Sequence, residues 1–175
     1  VITETQRRGY FVLSLYCKSI LEAMSAFQQQ RVDGILLISP TAEHQEAAEH
    51  FAKNDVPVVS VGAFPNFDTL PCVKLDDYEG ASAAMEYLLS RGHRRIAYIG
   101  GPGKVPSTEA RNRAYLNKMR EYGCPVTSGM FQKSDGMIAS SDMVDRILRD
   151  TPDITAIFAG SDYVAIGVIN ALQSR

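Results

Sequence analysis

The chain has 175 residues, with 18 basic against 20 acidic side chains and a formal net charge of −2. Apolar residues make up 45% and charged residues 22%, ordinary globular proportions that exclude disorder as the main state. A pI near 5.9 argues against a chain that grips nucleic acid over a broad face of its own. The length allows one domain or two small ones, and roughly 70% of the unfolded surface can be buried without staples.

Val1–Tyr10 is polar and helical in character, unlike a signal peptide. Tyr10–Tyr16 (YFVLSLY) is the first apolar run and reads as a strand that enters a helix near Lys18 with almost no loop. Ser19–Gln30 then places Ile20, Met24 and Phe27 at helical spacing. Gly34–Ser39 (GILLIS) is a strand, Pro40 breaks it, and Thr41–Asn54 carries Ala47, Ala48 and Phe51 on a helix. Val56–Val61 is a third strand, followed by the long irregular loop Gly62–Pro71 and a short strand at Cys72–Leu75.

The second half repeats the rhythm. A helix at Glu79–Arg91 ends on Gly92, and Arg95–Gly100 (RIAYIG) is a strand. Helices follow at Ser107–Tyr122, ended by Gly123, at Ser140–Arg149 and at Asp162–Ser174, with a strand at Ile154–Ala159. Ser107 and Asp162 are suited to N-cap their helices. The strands are near-continuous apolar runs, which predicts a parallel sheet covered on both faces. Alternating β and α units mean a doubly wound α/β fold with right-handed crossovers. With no strand before the first helix or after the last, the sheet reads as incomplete at both ends, as in a piece of a longer protein.

Most catalytic patterns are missing. Gly100–Gly101–Pro102–Gly103–Lys104 follows a strand and precedes a helix, but Tyr98 and Val105 break the phosphate-loop pattern and Pro106 breaks GxGxxG. His44, His50 and His93 are scattered, with no HExxH, so no metal site is expected. Cys17, Cys72 and Cys124 form neither a disulfide framework nor a zinc pattern and read as thiols of a reducing cytoplasm. No GxSxG elbow occurs, and no run is long enough to span a bilayer. Asp76, Asp77 and Glu79 cluster at a strand end. They either set acids against a helix dipole or meet a ligand.

Val73–Gly101 (VKLDDYEGASAAMEYLLSRGHRRIAYIGG) resembles the effector-binding core of LacI/GalR-family transcriptional regulators. Three further stretches agree in order and spacing: Gln28–Ser39, Glu109–Val126 and Ile154–Leu172. The resemblance implies a type-I periplasmic-binding-protein-like fold, with two doubly wound subdomains around a cleft. Residues 1–92 would form part of the N-terminal subdomain and 93–175 part of the C-terminal one. The family's helix-turn-helix head is absent from this sequence.

The resemblance also implies the site. Arg111 matches the cleft arginine ahead of Ala114-Tyr115, and a guanidinium offers a rigid fork of donors to hydroxyls, carboxylate or phosphate. The alternative is a surface arginine, and Arg113 should point elsewhere. Ser161-Asp162 stands where many members have Asn-Asp, and Asp162 either caps the helix or accepts from ligand hydroxyls. Glu79 could face effector hydroxyls, Ser39 lies on the same rim, and Phe64 either lines the cleft or packs its loop. Many sugar-binding members carry an aromatic near Ser134–Gly136, a position that here reads Ser-Asp-Gly.

The implied function is an effector-sensing domain of a regulator, not an enzyme, with no cofactor. It would bind a sugar, sugar phosphate or purine, act as a cytoplasmic homodimer and reach operator DNA through a separate head. Apolar faces on Val1–Tyr10 and Thr41–Asn54 would serve either that dimer or the core. The rival readings are a periplasmic sugar receptor of a transport system and an α/β enzyme.

Overall fold

The computed structural model describes residues 2–14, 21–40, 44–62, 70–101, 105–134, 138–139 and 141–175. The elements run α1 (Ile2–Arg7), α2 (Leu21–Gln28), β1 (Ile35–Ile38), α3 (Gln45–Lys53), β2 (Val58–Val61), β3 (Cys72–Val73) and α4 (Asp77–Ser90). They continue with β4 (Ile96–Gly100), α5 (Pro106–Glu121), β5 (Phe131–Lys133), α6 (Ser141–Asp150), β6 (Ala156–Ala159) and α7 (Asp162–Gln173). Contacts divide the chain into two compact units, Val1–Lys74 and Leu75–Arg175. Helix α4 therefore packs with the second unit, whereas the sequence reading placed it before a boundary at Gly92.

In the first unit, β1, β2 and β3 form a parallel sheet in that order, with Ile35 opposite Val58 and Ser60 opposite Cys72. One face carries a small core of Ala48, Phe51, Val58 and Leu70, joined by Ala23, Met24, Ile35 and Leu37. The other face leaves Leu36, Ile38 and Val73 exposed. The expectation of cover on both faces fails here. The expected strand at Tyr10–Tyr16 also fails over residues 10–14, which pair with no strand and expose Phe11 fully. An apolar run becomes a strand only where a neighbour accepts its backbone hydrogen bonds. Residues 15–16 lie outside the described residues. Helix α1 buries none of its side chains, while α3 buries Ala48 and Phe51 in its own core.

The second unit is a three-layer sandwich built on β4. The parallel sheet runs β5-β4-β6, and all five residues of β4 are buried. Ala97 and Ile99 face α6 and α7 through Met143, Val144, Ile147, Val164 and Val168. Ile96 and Tyr98 face α4 and α5 through Met85, Leu89, Tyr115 and Met119. A strand buried on both faces needs apolar residues at every position, which explains the unbroken run. Strand β5 escaped the sequence reading because it is only three residues long, Phe131–Lys133, and two of them are polar.

The helix ends follow local chemistry. Asp76 caps α4, its Oδ1 accepting from Glu79 N at 3.0 Å, and Asp77 and Glu79 sit in the first turn against the dipole. Helix α5 begins on Pro106 after an extended Val105, not on a Ser107 cap. Ser161, not Asp162, caps α7 by accepting from Val164 N.

Gly167 sits on the buried face of α7, where a Cβ would collide with the Ala139 carbonyl oxygen and stand 2.8 Å from Ala139 N. Replacing a helical glycine by alanine normally stabilises by about 1 kcal/mol. Gly167→Ala should instead destabilise by about 1–3 kcal/mol through overpacking. Urea unfolding should show a lower midpoint at unchanged slope. A neutral or stabilising result would mean that Ala139 can retreat freely.

Candidate functional site

Two strand exits meet at the centre of the second sheet. The chain leaves β4 for β5 on one side and then crosses back over β4 to β6 on the other. Open α/β sheets hold ligands outside the carboxyl ends of strands at such a reversal of order. Gly100 ends β4 and Gly160 follows β6, with Gly160 N donating to Ile99 O at 2.8 Å. A Cβ on Gly160 would stand 2.9 Å from the Tyr98 hydroxyl and 3.2 Å from both Gly100 Cα and Ile99 O. Only glycine lets the two exits approach this closely.

Arg111, on the second turn of α5, reaches this point. Its Nη1 donates to the Gly160 carbonyl at 2.5 Å. Its Nε and Nη2 donate to Asp77 Oδ1 at 3.1 and 2.7 Å. One side chain thereby ties α5 to the start of α4 and to the exit of β6. The pair is neither sealed nor free, with 32% of the Arg111 side chain and 20% of the Asp77 side chain exposed. The other two of the guanidinium's five N–H groups carry no hydrogen bond among the described residues.

Beneath the arginine lies an aromatic floor. The Tyr98 ring stacks on Tyr115 at 5.1 Å between centroids and meets Phe131 and Phe158 at 5.4 Å each. The Tyr115 hydroxyl donates to Ile96 O at 2.9 Å. Tyr98 is fully buried, and among the described residues its hydroxyl has no hydrogen-bond partner. Asn112 Oδ1 is likewise buried without one. Both atoms crowd the position a Cβ on Gly100 would take, at 3.3 Å for the hydroxyl and 3.0 Å for the amide oxygen. Burial pushes the Tyr98 phenol up to about 12, a rise that the Arg111 charge partly offsets, so it stays protonated at neutral pH.

The residues expected from sequence divide clearly. Arg111 and Ser161 are brought together, since Arg111 binds the carbonyl of Gly160, the residue before Ser161. The Ser161 hydroxyl accepts from Val164 N at 3.3 Å and keeps its own proton for another acceptor. Asp162 is exposed in the first turn of α7, and Glu79 is exposed on α4. Among the described residues Arg111 bonds Asp77 and Gly160 and neither of these carboxylates. Ser39 belongs to the first unit, exposed at the end of β1 with φ 52°, its N–H donating to Val61 O. Phe64 lies outside the described residues. Arg113 points away, over the Tyr78 ring at 5.3 Å.

Asp77 is the partner that sequence reasoning did not assign. Its acidity was visible, but its link to a guanidinium 34 residues away depends on how α4 packs against α5. Tyr98 and Asn112 carried no motif at all. Among the described residues, no group of three or more His, Cys, Asp or Glu could hold a metal ion, and no helix is long and apolar enough to cross a membrane. An open groove of about 340 Å³ runs along the outer face of α5, past Asn112, Arg113 and Leu116.

Comparison with known proteins places this geometry in context. Residues 10–175 match the family model described as periplasmic binding proteins and sugar binding domain of LacI family. Catabolite control protein A of Priestia megaterium is 31% identical over 148 residues, covering 83% of this chain and 44% of that protein. A LacI-family regulatory protein from Chloroflexus aggregans superposes with a TM-score of 0.81 at 26% identity, covering 99% of this chain and 64% of that one. A LacI-family regulator from Lactobacillus casei with bound sucrose superposes with a TM-score of 0.74 at 22% identity, covering 99% and 66%. The chain spans about half the length of the curated relatives it matches.

The Arg111–Asp77 link should show as energetic coupling. Removing a charge-assisted, partly solvated pair costs about 1–2 kcal/mol. In a double-mutant cycle, Arg111→Ala and Asp77→Ala should be non-additive by about 1 kcal/mol in urea unfolding. Additive losses would mean that the two side chains do not meet in solution.

Proposed function

The chain belongs to the family of periplasmic binding proteins and LacI-type sugar-binding domains, and on that premise we propose that it is the effector-sensing part of a LacI-family transcriptional regulator. The observation that carries this reading is Arg111, a fork of donors held at the carboxyl ends of β4 and β6 where the strand order reverses. The names of the curated relatives support a regulator over a transport receptor, since they are repressors, regulators and a control protein. The Lactobacillus casei neighbour with bound sucrose supports a sugar or sugar derivative as effector.

In this reading Arg111 anchors the effector through its two uncommitted N–H groups. Ser161 offers a hydroxyl proton beside it, and Asp162 and Glu79 supply acceptors for ligand hydroxyls. Ser39 and Phe64 are further effector contacts in this reading. The chain's two units are the effector-binding subdomains, and no catalytic group is required.

The proposed mechanism has two states. Effector binds one relative arrangement of the subdomains better than the other and shifts the population toward it. A homodimer then presents two DNA-reading heads at a changed spacing, which alters operator affinity. Such a protein works in the cytoplasm, beside its operator.

The test is a thermal-shift screen of the intact protein against sugars, sugar phosphates and purines. A ligand at 100 times its dissociation constant stabilises by about 2.7 kcal/mol, a shift of roughly 5–10 °C at this size. Arg111→Ala should abolish the shift, and Arg111→Lys should recover only a fraction because an ammonium lacks the fork. A full shift in both variants, each still folded, would move the site elsewhere. No shift with any ligand would reject the sensor reading.

A further inference from the structure

Arg111 is not a bare cation. Asp77 Oδ1 takes two of its N–H groups, at 2.7 and 3.1 Å, and the Gly160 carbonyl takes a third. The charge of the site's arginine is already balanced by a carboxylate of the same unit. From this arrangement, and resting on the effector-sensing reading above, we infer that the site accepts a neutral, hydroxyl-bearing ligand and excludes anionic ones, and that Asp77 is the residue that sets this preference.

The preference is electrostatic. Phosphate prefers an unpaired guanidinium that can offer two parallel N–H bonds. Here one edge of the fork, Nε with Nη2, is the edge occupied by Asp77. A phosphate ester would have to displace that carboxylate, or sit beside it and meet repulsion between like charges. Displacement would leave Asp77 half-buried and unpaired at the start of α4. A carboxylate stripped of its partner in that setting costs several times what an exposed one does.

Apart from the neutral hydroxyls of Tyr98 and Ser161, the surroundings add acceptor oxygens. The Gly160 carbonyl is aimed at the arginine, and Asn112 Oδ1 is a buried oxygen without a partner. Asp76 precedes Asp77, and Asp162 lies two residues beyond Gly160, both exposed. Of the cations among the described residues, Arg113 is turned over the Tyr78 ring. Lys133 ends β5 in register with Gly100, on the side of β4 opposite β6 and Gly160. A hydroxyl group suits this environment because it can accept from Arg111 and donate to an oxygen at once. A phosphate monoester dianion has no hydrogen to donate.

Asp77 acts through the arginine and is a positioning and selecting residue, so its test must separate selection from folding. The probe is inorganic phosphate titrated into the intact protein at pH 7.5, followed by calorimetry, with the same titration on Asp77→Asn. The asparagine keeps one oxygen for the Arg111 bonds, loses the charge and exchanges the other oxygen for an N–H donor. The wild-type protein should show no saturable phosphate binding below about 10 mM, and Asp77→Asn should bind at least ten-fold more tightly. Arg111→Ala in the Asp77→Asn background should remove the gained binding. Saturable sub-millimolar binding of phosphate to the wild type would overturn the inference. So would an Asp77→Asn protein that folds and gains nothing. Neither outcome depends on the sugar screen, so the neutral-ligand inference and the sensor reading can fail separately.

Discussion

Everything in the second unit depends on a strand that meets water on neither face. Residues Ile96–Gly100 are buried completely, with alternate side chains committed to opposite helical layers. Such a strand holds its register strongly, because a slip of one residue would turn Tyr98 into the α6–α7 layer and Ile99 into the aromatic cluster. The register in turn fixes where Gly100 falls, and Gly100 is where β4 meets the exit of β6. The position of the candidate site is therefore a consequence of core packing, settled before any ligand chemistry is considered.

The electrostatics are built on that frame. Arg111 joins the start of α4, the second turn of α5 and the loop after β6 through three hydrogen bonds. A ligand that engages the remaining N–H groups would act on a group already coupled to three elements. This gives a physical route by which a small molecule could bias a larger rearrangement, since a shift of the guanidinium must be answered at Asp77 and Gly160 together. The same bonds hold the arginine in place, so little side-chain entropy remains to be lost on binding. The buried Tyr98 hydroxyl and Asn112 oxygen, both without partners, mark this as a place where local stability is given up.

Much of the fold was legible in the residues. The six helices placed by periodicity from Ser19 onward all recur, as do the strands within Gly34–Ser39, Val56–Val61, Arg95–Gly100 and Ile154–Ala159. Strand β5 was not legible, because three residues of mixed polarity carry no period. The apolar run after Tyr10 misled, because hydrophobicity identifies a segment that could pair and not the neighbour that would pair with it. Cover on both faces held for β4 and failed for β1, whose apolar residues look the same in sequence. In the site, Arg111 was marked by the family resemblance, at its place before Ala114-Tyr115, whereas Asp77 was lost in a cluster of three acids. The assignment among them rests on the packing of α4 against α5, which no local pattern encodes. Ser161 takes the capping role expected of Asp162, a one-residue matter that sequence rarely resolves.

The central claim is that Arg111 is the group an effector meets. The most direct measurement follows the Arg111 Nε–H resonance and the Gly160 and Ser161 amide resonances of the intact protein while a stabilising sugar is titrated. The account predicts that these signals move together and saturate at the same sugar concentration as the thermal shift. A sugar that stabilises the protein while all three stay fixed would contradict it.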